Sequence, residues 1–234
     1  MNIFFDCKNG ISSDMLLAAV NEIVNQGYCA DAKIDERQEG GAKFPCADNK
    51  IIIKEPPYAH GRHLSHVLEI IEKTNADVKA KELAKKTYAI IAEAEAEVHE
   101  ETLGSVHFHE VGRDQAIENI INFAVAITKI NAENIYVTQI NDGTGTVKCS
   151  HGEIPVPVPA VKALMKKTHL SESSDLAFGI REVDGERVTP SALAMIMAIE
   201  AKNIKEVPKE IKCIGEFFGG RDVEQKEGLA VYVE

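Results

Sequence analysis

The apolar residues of this 234-residue chain fall in short runs that switch between a strand period and a helix period from residue 1 to about 140. Few architectures accept that pattern, because short apolar strands alternating with amphipathic helices must stack helices on a sheet. Ile3, Phe4 and Phe5 form an apolar strand that ends at Asp6, and Asn9-Gly10 turns the chain. Ser12 or Ser13 then caps a helix with Met15, Leu16, Ala19, Val20 and Ile23 on one face, closed by Gly27. Residues 28–49 lack a period, 51–53 (Ile-Ile-Ile) read as a strand, and Pro56-Pro57 ends it. Helices follow at Leu64, Val67, Leu68 and Ile71, and at 77–99, the longest, with Ala80, Leu83, Ala84, Thr87, Ile91, Ala94 and Val98. A strand at 106–112 leads into a helix from about 115 with Ile117, Ile120, Ile121, Ala124 and Ile127, and 135–140 is the next strand.

Beyond residue 140 the signals become hairpin-like. Residues 141–146 (Asn-Asp-Gly-Thr-Gly-Thr) read as a glycine-rich turn, and Pro155, Pro157 and Pro159 force an extended segment before a helix at 160–167. Thr189-Pro190 opens a helix at 192–201, and strands at 211–218 and 229–233 flank a turn at 219–222. The expected fold is α/β, a mixed sheet with helices packed on it, its strand order not determinable from pattern. The chain forms one large unit, or a 1–140 α/β core with a hairpin-rich 141–234 part packed against it.

A formal charge of −11 and a pI near 5.3, with no long basic run, argue against nucleic-acid and membrane-surface partners. Small molecules, metals and proteins remain, a homo-oligomer among them. Five cysteines without a C-x-x-C pair fit free thiols in a reducing compartment. The N-terminus lacks a basic region before its apolar run, and no apolar stretch approaches membrane-spanning length. The expected location is the cytoplasm.

Chemistry concentrates at residues 106–112, Val-His-Phe-His-Glu-Val-Gly. In a strand His107 and His109 project from one face while Phe108 points the other way, which pairs two imidazoles before any tertiary contact forms. Such a pair suits a metal or a proton transfer; the competing reading is a half-exposed strand with solvated histidines. Asp6 lies at a strand's C-terminal edge, and Asp14 sits in a first helical turn that favours an acid anyway. His60, Arg62, His63 and His66 make a second cluster, in which His63 and His66 share a helical face and His66 reads as a surface residue. Cys149 and His151, two apart, offer a thiolate and an imidazole that suit nickel, copper or zinc, against a buried thiol beside a surface histidine. The N-terminus at Thr189 is also suited to an anion. Glu93, Glu95 and Glu97 read as a solvated face.

Taken together, these blocks resemble the LarC nickel-insertion proteins. The likeness is carried by Phe5-Asp6-Cys7 with Gly10-Ile11-Ser12 and Asp14-Met15, by His60-Gly61-Arg62-His63-Leu64, by residues 106–112, and by Val147-Lys148-Cys149 with His151-Gly152 and 155–160. Val188-Thr189-Pro190 and residues 219–234 align as well, so the resemblance spans the chain as the family's N-terminal half. It implies a CTP-dependent cyclometallase that inserts nickel into a thiocarboxylated pyridinium mononucleotide, forming the nickel-pincer cofactor of lactate racemase. It also implies that CTP and Mn²⁺ bind a C-terminal domain outside this sequence, made in some members as a separate chain. The sequence departs from the pattern at Gln115 and Asn119, where the family carries acids, and at Lys8, Asn9, Ser13 and Ala192.

Ligand chemistry rather than the resemblance then suggests the roles. His107, His109, Cys149, His151 and His60 would present the metal, Glu110, Asp6 or Asp14 would serve catalysis, and Arg62, Lys148 and Thr189 would hold the nucleotide. The histidines at 60, 107, 109 and 151 are expected around one cleft with Asp6 at its floor.

Overall fold

A computed structural model describes residues 1–29, 51–53, 61–150, 152–168, 175–219 and 228–234. Along the chain these form β1 (Asn2–Asp6), α1 (Ser13–Asn25), β2 (Arg62–His63), α2 (Leu64–Lys73), α3 (Val78–His99), β3 (His107–Phe108), α4 (Asp114–Ile130), β4 (Asn134–Val137) and β5 (Ile140–Thr144). They continue as β6 (Thr146–Cys149), β7 (Gly152–Pro155), α5 (Pro159–Thr168), β8 (Phe178–Asp184), α6 (Pro190–Ala198), β9 (Lys202–Asn203), β10 (Lys212–Phe217) and β11 (Leu229–Val233). The fold is α/β.

The main sheet runs β10-β11-β1-β4-β9. β1 is its middle strand, antiparallel to β11 through Ile3↔Val233 and Phe5↔Val231, and parallel to β4 through Ile3↔Ile135 and Phe5↔Val137. Ile3 and Phe5 are fully buried, as an apolar strand with neighbours on both sides requires. Helix α1 packs on α4 and against β10 and β11, while α3 packs against α2, α4, α5 and α6. Alanines at 80, 84, 92, 94 and 96 give α3 the close approach these neighbours need. Helix α6, apolar on every side, has Leu193, Met195 and Ile196 fully buried. One buried apolar cluster reaches from Ile3 to Val233, so both parts of the chain feed it.

Several sequence expectations are corrected. Residues 51–53 form no strand: Asn122 pairs through its side chain with both the N–H and the carbonyl of Ile51, and Glu118 accepts from the Ile53 N–H. Side chains of α4 thus do the work of a neighbouring strand. The stretch read as one strand at 135–140 is the end of β4 and the start of β5. The glycine-rich residues 141–144 are not a hairpin turn but most of β5, parallel to β8 through Asn141↔Gly179 and Asp142↔Ile180. A Cβ on Gly143 would stand 2.1 Å from the Gly185 carbonyl, so glycine is needed there for close approach. His63 belongs to β2 rather than to a helix face shared with His66. Pro56-Pro57 and part of the 219–222 turn lie outside the described residues.

Candidate functional site

The segment from Val106 to Asp114 is built inward first. Val106 and Phe108 are buried, and the Phe108 ring packs on Tyr88 with centroids 5.7 Å apart. Tyr88 donates its hydroxyl to the Val111 carbonyl at 2.8 Å, and the Arg62 guanidinium donates to the Gly112 carbonyl at 2.5 Å and meets Asp114 at 2.6 Å. A Cβ on Gly112 would come within 2.4 Å of the Phe108 carbonyl, so the tight return of the chain requires glycine. With Phe108 facing the core, His107 and His109 turn outward, their ring centroids 4.7 Å apart. His63 on β2 is 6.0 Å from His107, and its Nδ1 lies 3.2 Å from the Val106 carbonyl.

Beside this segment opens a cavity of about 1110 Å³. Its wall includes His109 and Glu110, Asp14 with Ser12 and Ser13 at the start of α1, Lys148 and Cys149 on β6, and Thr189 at the start of α6. Thr189 caps α6 by accepting from the Ala192 N–H at 3.3 Å. The Ser12 hydroxyl is buried and has no hydrogen-bond partner among the described residues. Glu110 is held by Arg113 at 2.8 Å. Gln115 donates to Asn119 at 2.8 Å, and Asn119 to Ser13 at 3.3 Å, so neutral amides line the wall where the resemblance implies acids.

Other candidates stand apart. His107 is beside His109 but is not a wall residue, and its Nδ1 is 3.9 Å from Glu101. Arg62 is buried in the clamp just described, away from the wall. Asp6 does not floor the cavity: it sits at the end of β1, where its carboxylate meets Thr138 at 3.0 Å and the Lys8 ammonium at 2.8 Å. His60 and His151 lie outside the described residues. Among the described residues no three His, Cys, Asp or Glu side chains converge as a ready metal cage.

Two wall residues escaped the sequence reading. Glu95 and His99 lie one turn apart near the end of α3, 3.4 Å from each other, with Glu95 only 17% exposed. Burial pushes the Glu95 carboxyl above its ordinary value, and His99 partly offsets the rise. The expected solvated face holds only for its flanks, since Glu93 pairs with Lys167 at 3.0 Å and Glu97 with Lys166 at 3.6 Å. The available signal was the buried stripe Ala84, Tyr88 and Ile91, which reaches Glu95 one turn later.

A family described as nickel insertion protein matches residues 3–234. The pyridinium-3,5-bisthiocarboxylic acid mononucleotide nickel insertion protein of Acetivibrio thermocellus is 30% identical over 94% of this chain and 56% of its own length. Proteins of the same name from Alkaliphilus metalliredigens and Clostridium kluyveri are 28% and 29% identical over 99% of the chain, which covers 60% and 61% of them. The chain thus spans somewhat over half the length of these relatives. No solved structure matches it. No helix among the described residues is long and apolar enough to cross a membrane.

Proposed function

The chain belongs to the nickel insertion protein family, and on that premise we propose that its cavity holds a thiocarboxylated pyridinium mononucleotide while nickel enters it. One observation carries the reading. An imidazole and a thiol, His109 and Cys149, share a chamber with the N-terminal ends of α1 and α6. Nickel favours N and S donors, and helix N-termini favour anions such as phosphate or thiocarboxylate. Nickel is substrate in this scheme. It is presented by His109 and Cys149 with His107 beside them, and His60 and His151 are the further donors the sequence suggests. Lys148, Thr189 and the Ser12 hydroxyl, unpartnered among the described residues, bind the anionic groups. The ring C–H gives its electron pair to nickel as carbon–nickel bonding develops, and its proton passes to a base.

CTP and Mn²⁺ are assigned to a partner segment or chain of the C-terminal-half kind, and the product is the nickel-pincer cofactor. Accordingly, the purified 234-residue chain alone is expected to show no CTP turnover by phosphate-release assay. Hydrolysis above background would move nucleotide chemistry into this chain. Calorimetric nickel titration, with and without the thiocarboxylated nucleotide, tests the cavity directly. His109→Ala is expected to weaken nickel binding at least about tenfold while His66→Ala leaves it unchanged. Binding should also tighten with rising pH and release protons, because imidazole and thiol donors must lose theirs before they ligate. Equal affinity in the wild type and His109→Ala would remove the metal from this site.

The amide pair Gln115 and Asn119 favours a second reading, a module that holds and delivers nickel or nucleotide without completing insertion. Retention of both ligands with no insertion, even with a CTP-binding partner present, would select it.

A further inference from the structure

We propose that Glu95 is the proton acceptor of this chamber, with His99 as the positioning residue that relays the proton to solvent. The inference rests on the nickel-insertion reading and adds the base that reading needs.

Two of the other candidate acids, Asp6 and Glu110, are poorly placed for the task. Asp6 is tied to Lys8 and Thr138 and is absent from the wall, and Glu110 is neutralised by Arg113 at 2.8 Å. A carboxylate held by a guanidinium is a weak base. Glu95 instead reaches the wall from a helix, largely desolvated, with the His99 imidazole 3.4 Å away. Desolvation raises the carboxyl above its ordinary value, as a base working near neutrality requires. His99 is about twice as exposed as Glu95, 31% against 17%, which suits it to hand a proton outward. The other charged groups sharing the chamber are Asp14 on α1, His109, the Glu110–Arg113 pair, Lys148 on β6 and the neighbours Glu186 and Arg187.

In the step itself the ring C–H bond breaks, its electron pair becomes the carbon–nickel bond, and its proton goes to a Glu95 carboxylate oxygen. Glu95 passes that proton to the His99 imidazole and returns to the carboxylate. Nickel keeps its oxidation state, and no further reactant is consumed.

The test is ring hydrogen–deuterium exchange. The full chain, Ni²⁺ and the thiocarboxylated pyridinium mononucleotide are incubated in D₂O, with loss of ring proton followed by NMR and nickel affinity by calorimetry. Glu95→Gln is expected to slow exchange about a hundredfold or more with nickel affinity within about threefold of wild type, and Glu95→Asp to restore part of the rate. His99→Gln should move the rising limb of the pH profile upward, because His99 holds the Glu95 carboxyl down. Wild-type exchange that Glu95→Gln leaves unchanged would overturn the inference and spare the nickel reading, as would tight binding of both ligands with no exchange at all. Failure of the wild type to bind either ligand would instead remove the nickel-insertion reading, and the inference with it.

Discussion

Replacing Asp142 with alanine is expected to destabilise the fold by about 3 kcal/mol or more, read by chemical denaturation. Asp142 is 2% exposed, and one of its oxygens accepts from three backbone N–H groups: Gly143 at 2.8 Å, Arg187 at 2.7 Å and Val188 at 3.0 Å. Alanine would orphan all three donors, each a costly loss in a buried setting. The damage would reach the cavity, since the same segment returns the Arg187 carbonyl to the Ile11 N–H and leads into Thr189. The charge itself is a separate matter. Burial raises the Asp142 carboxyl above its ordinary value against the opposing backbone donors, and its second oxygen has no partner among the described residues. The folded state therefore holds this proton more tightly than the unfolded chain. Its contribution is complete below the unfolded value and is lost as pH rises through the higher folded one. Asp142→Asn keeps an acceptor and sheds the charge, so it should cost far less than alanine at neutral pH and flatten this pH dependence. A loss below about 1 kcal/mol for Asp142→Ala would show that water replaces the carboxylate at little cost.

Arg62→Ala should cost a similar amount, about 3 kcal/mol, because truncating the buried Arg62 removes its hydrogen bond to the Gly112 carbonyl and its pairing with the half-buried Asp114. Arg62 joins β2 to the Gly112 carbonyl and to Asp114 in the first turn of α4, fixing the segment that carries His107 and His109. The nucleotide-binding role suggested by its motif makes a different forecast: lost nucleotide affinity at unchanged stability. Denaturation and calorimetry on this one variant separate the two, and a fully stable Arg62→Ala would sink the clamp.

The fold was legible wherever a period ran long enough. The amphipathic stripes of α1, α3 and α4 and the apolar runs of β1 and β11 each show in the sequence, because burial on one face or both leaves a repeat. Residues 141–144 misled because Asn-Asp-Gly-Thr is also turn vocabulary, and only the closeness of Gly143 to Gly185 explains the glycine in a strand. Residues 51–53 misled because their partners are side chains on a helix far along the chain. At the candidate site, the outward pairing of His107 with His109 was expected from a strand at 106–112, but β3 covers only His107–Phe108 and His109 lies in the bend just past it. The distances that remove Asp6 and Arg62 from the wall depend on tertiary packing, which no spacing encodes. Glu95 was missed for the opposite reason: in a helix rich in alanine, glutamate and lysine its letter matches the solvent face, while its angular position matches the core.

The position of β1 in the sheet also bears on how the molecule is made. Its antiparallel neighbour is the last of the described strands, and their ends are joined by hydrogen bonds between Asn2 and Glu234, 232 positions apart. Among the described strands, the first in chain order is therefore the middle strand of the sheet. Its two neighbours come later in the chain, β4 at Asn134–Val137 and β11 at Leu229–Val233, so β1, apolar on both faces, is complete well before either partner exists. Such non-local closure is slow and leaves an unpaired strand edge exposed meanwhile, so the nascent protein is a natural client for a chaperone that shields apolar segments.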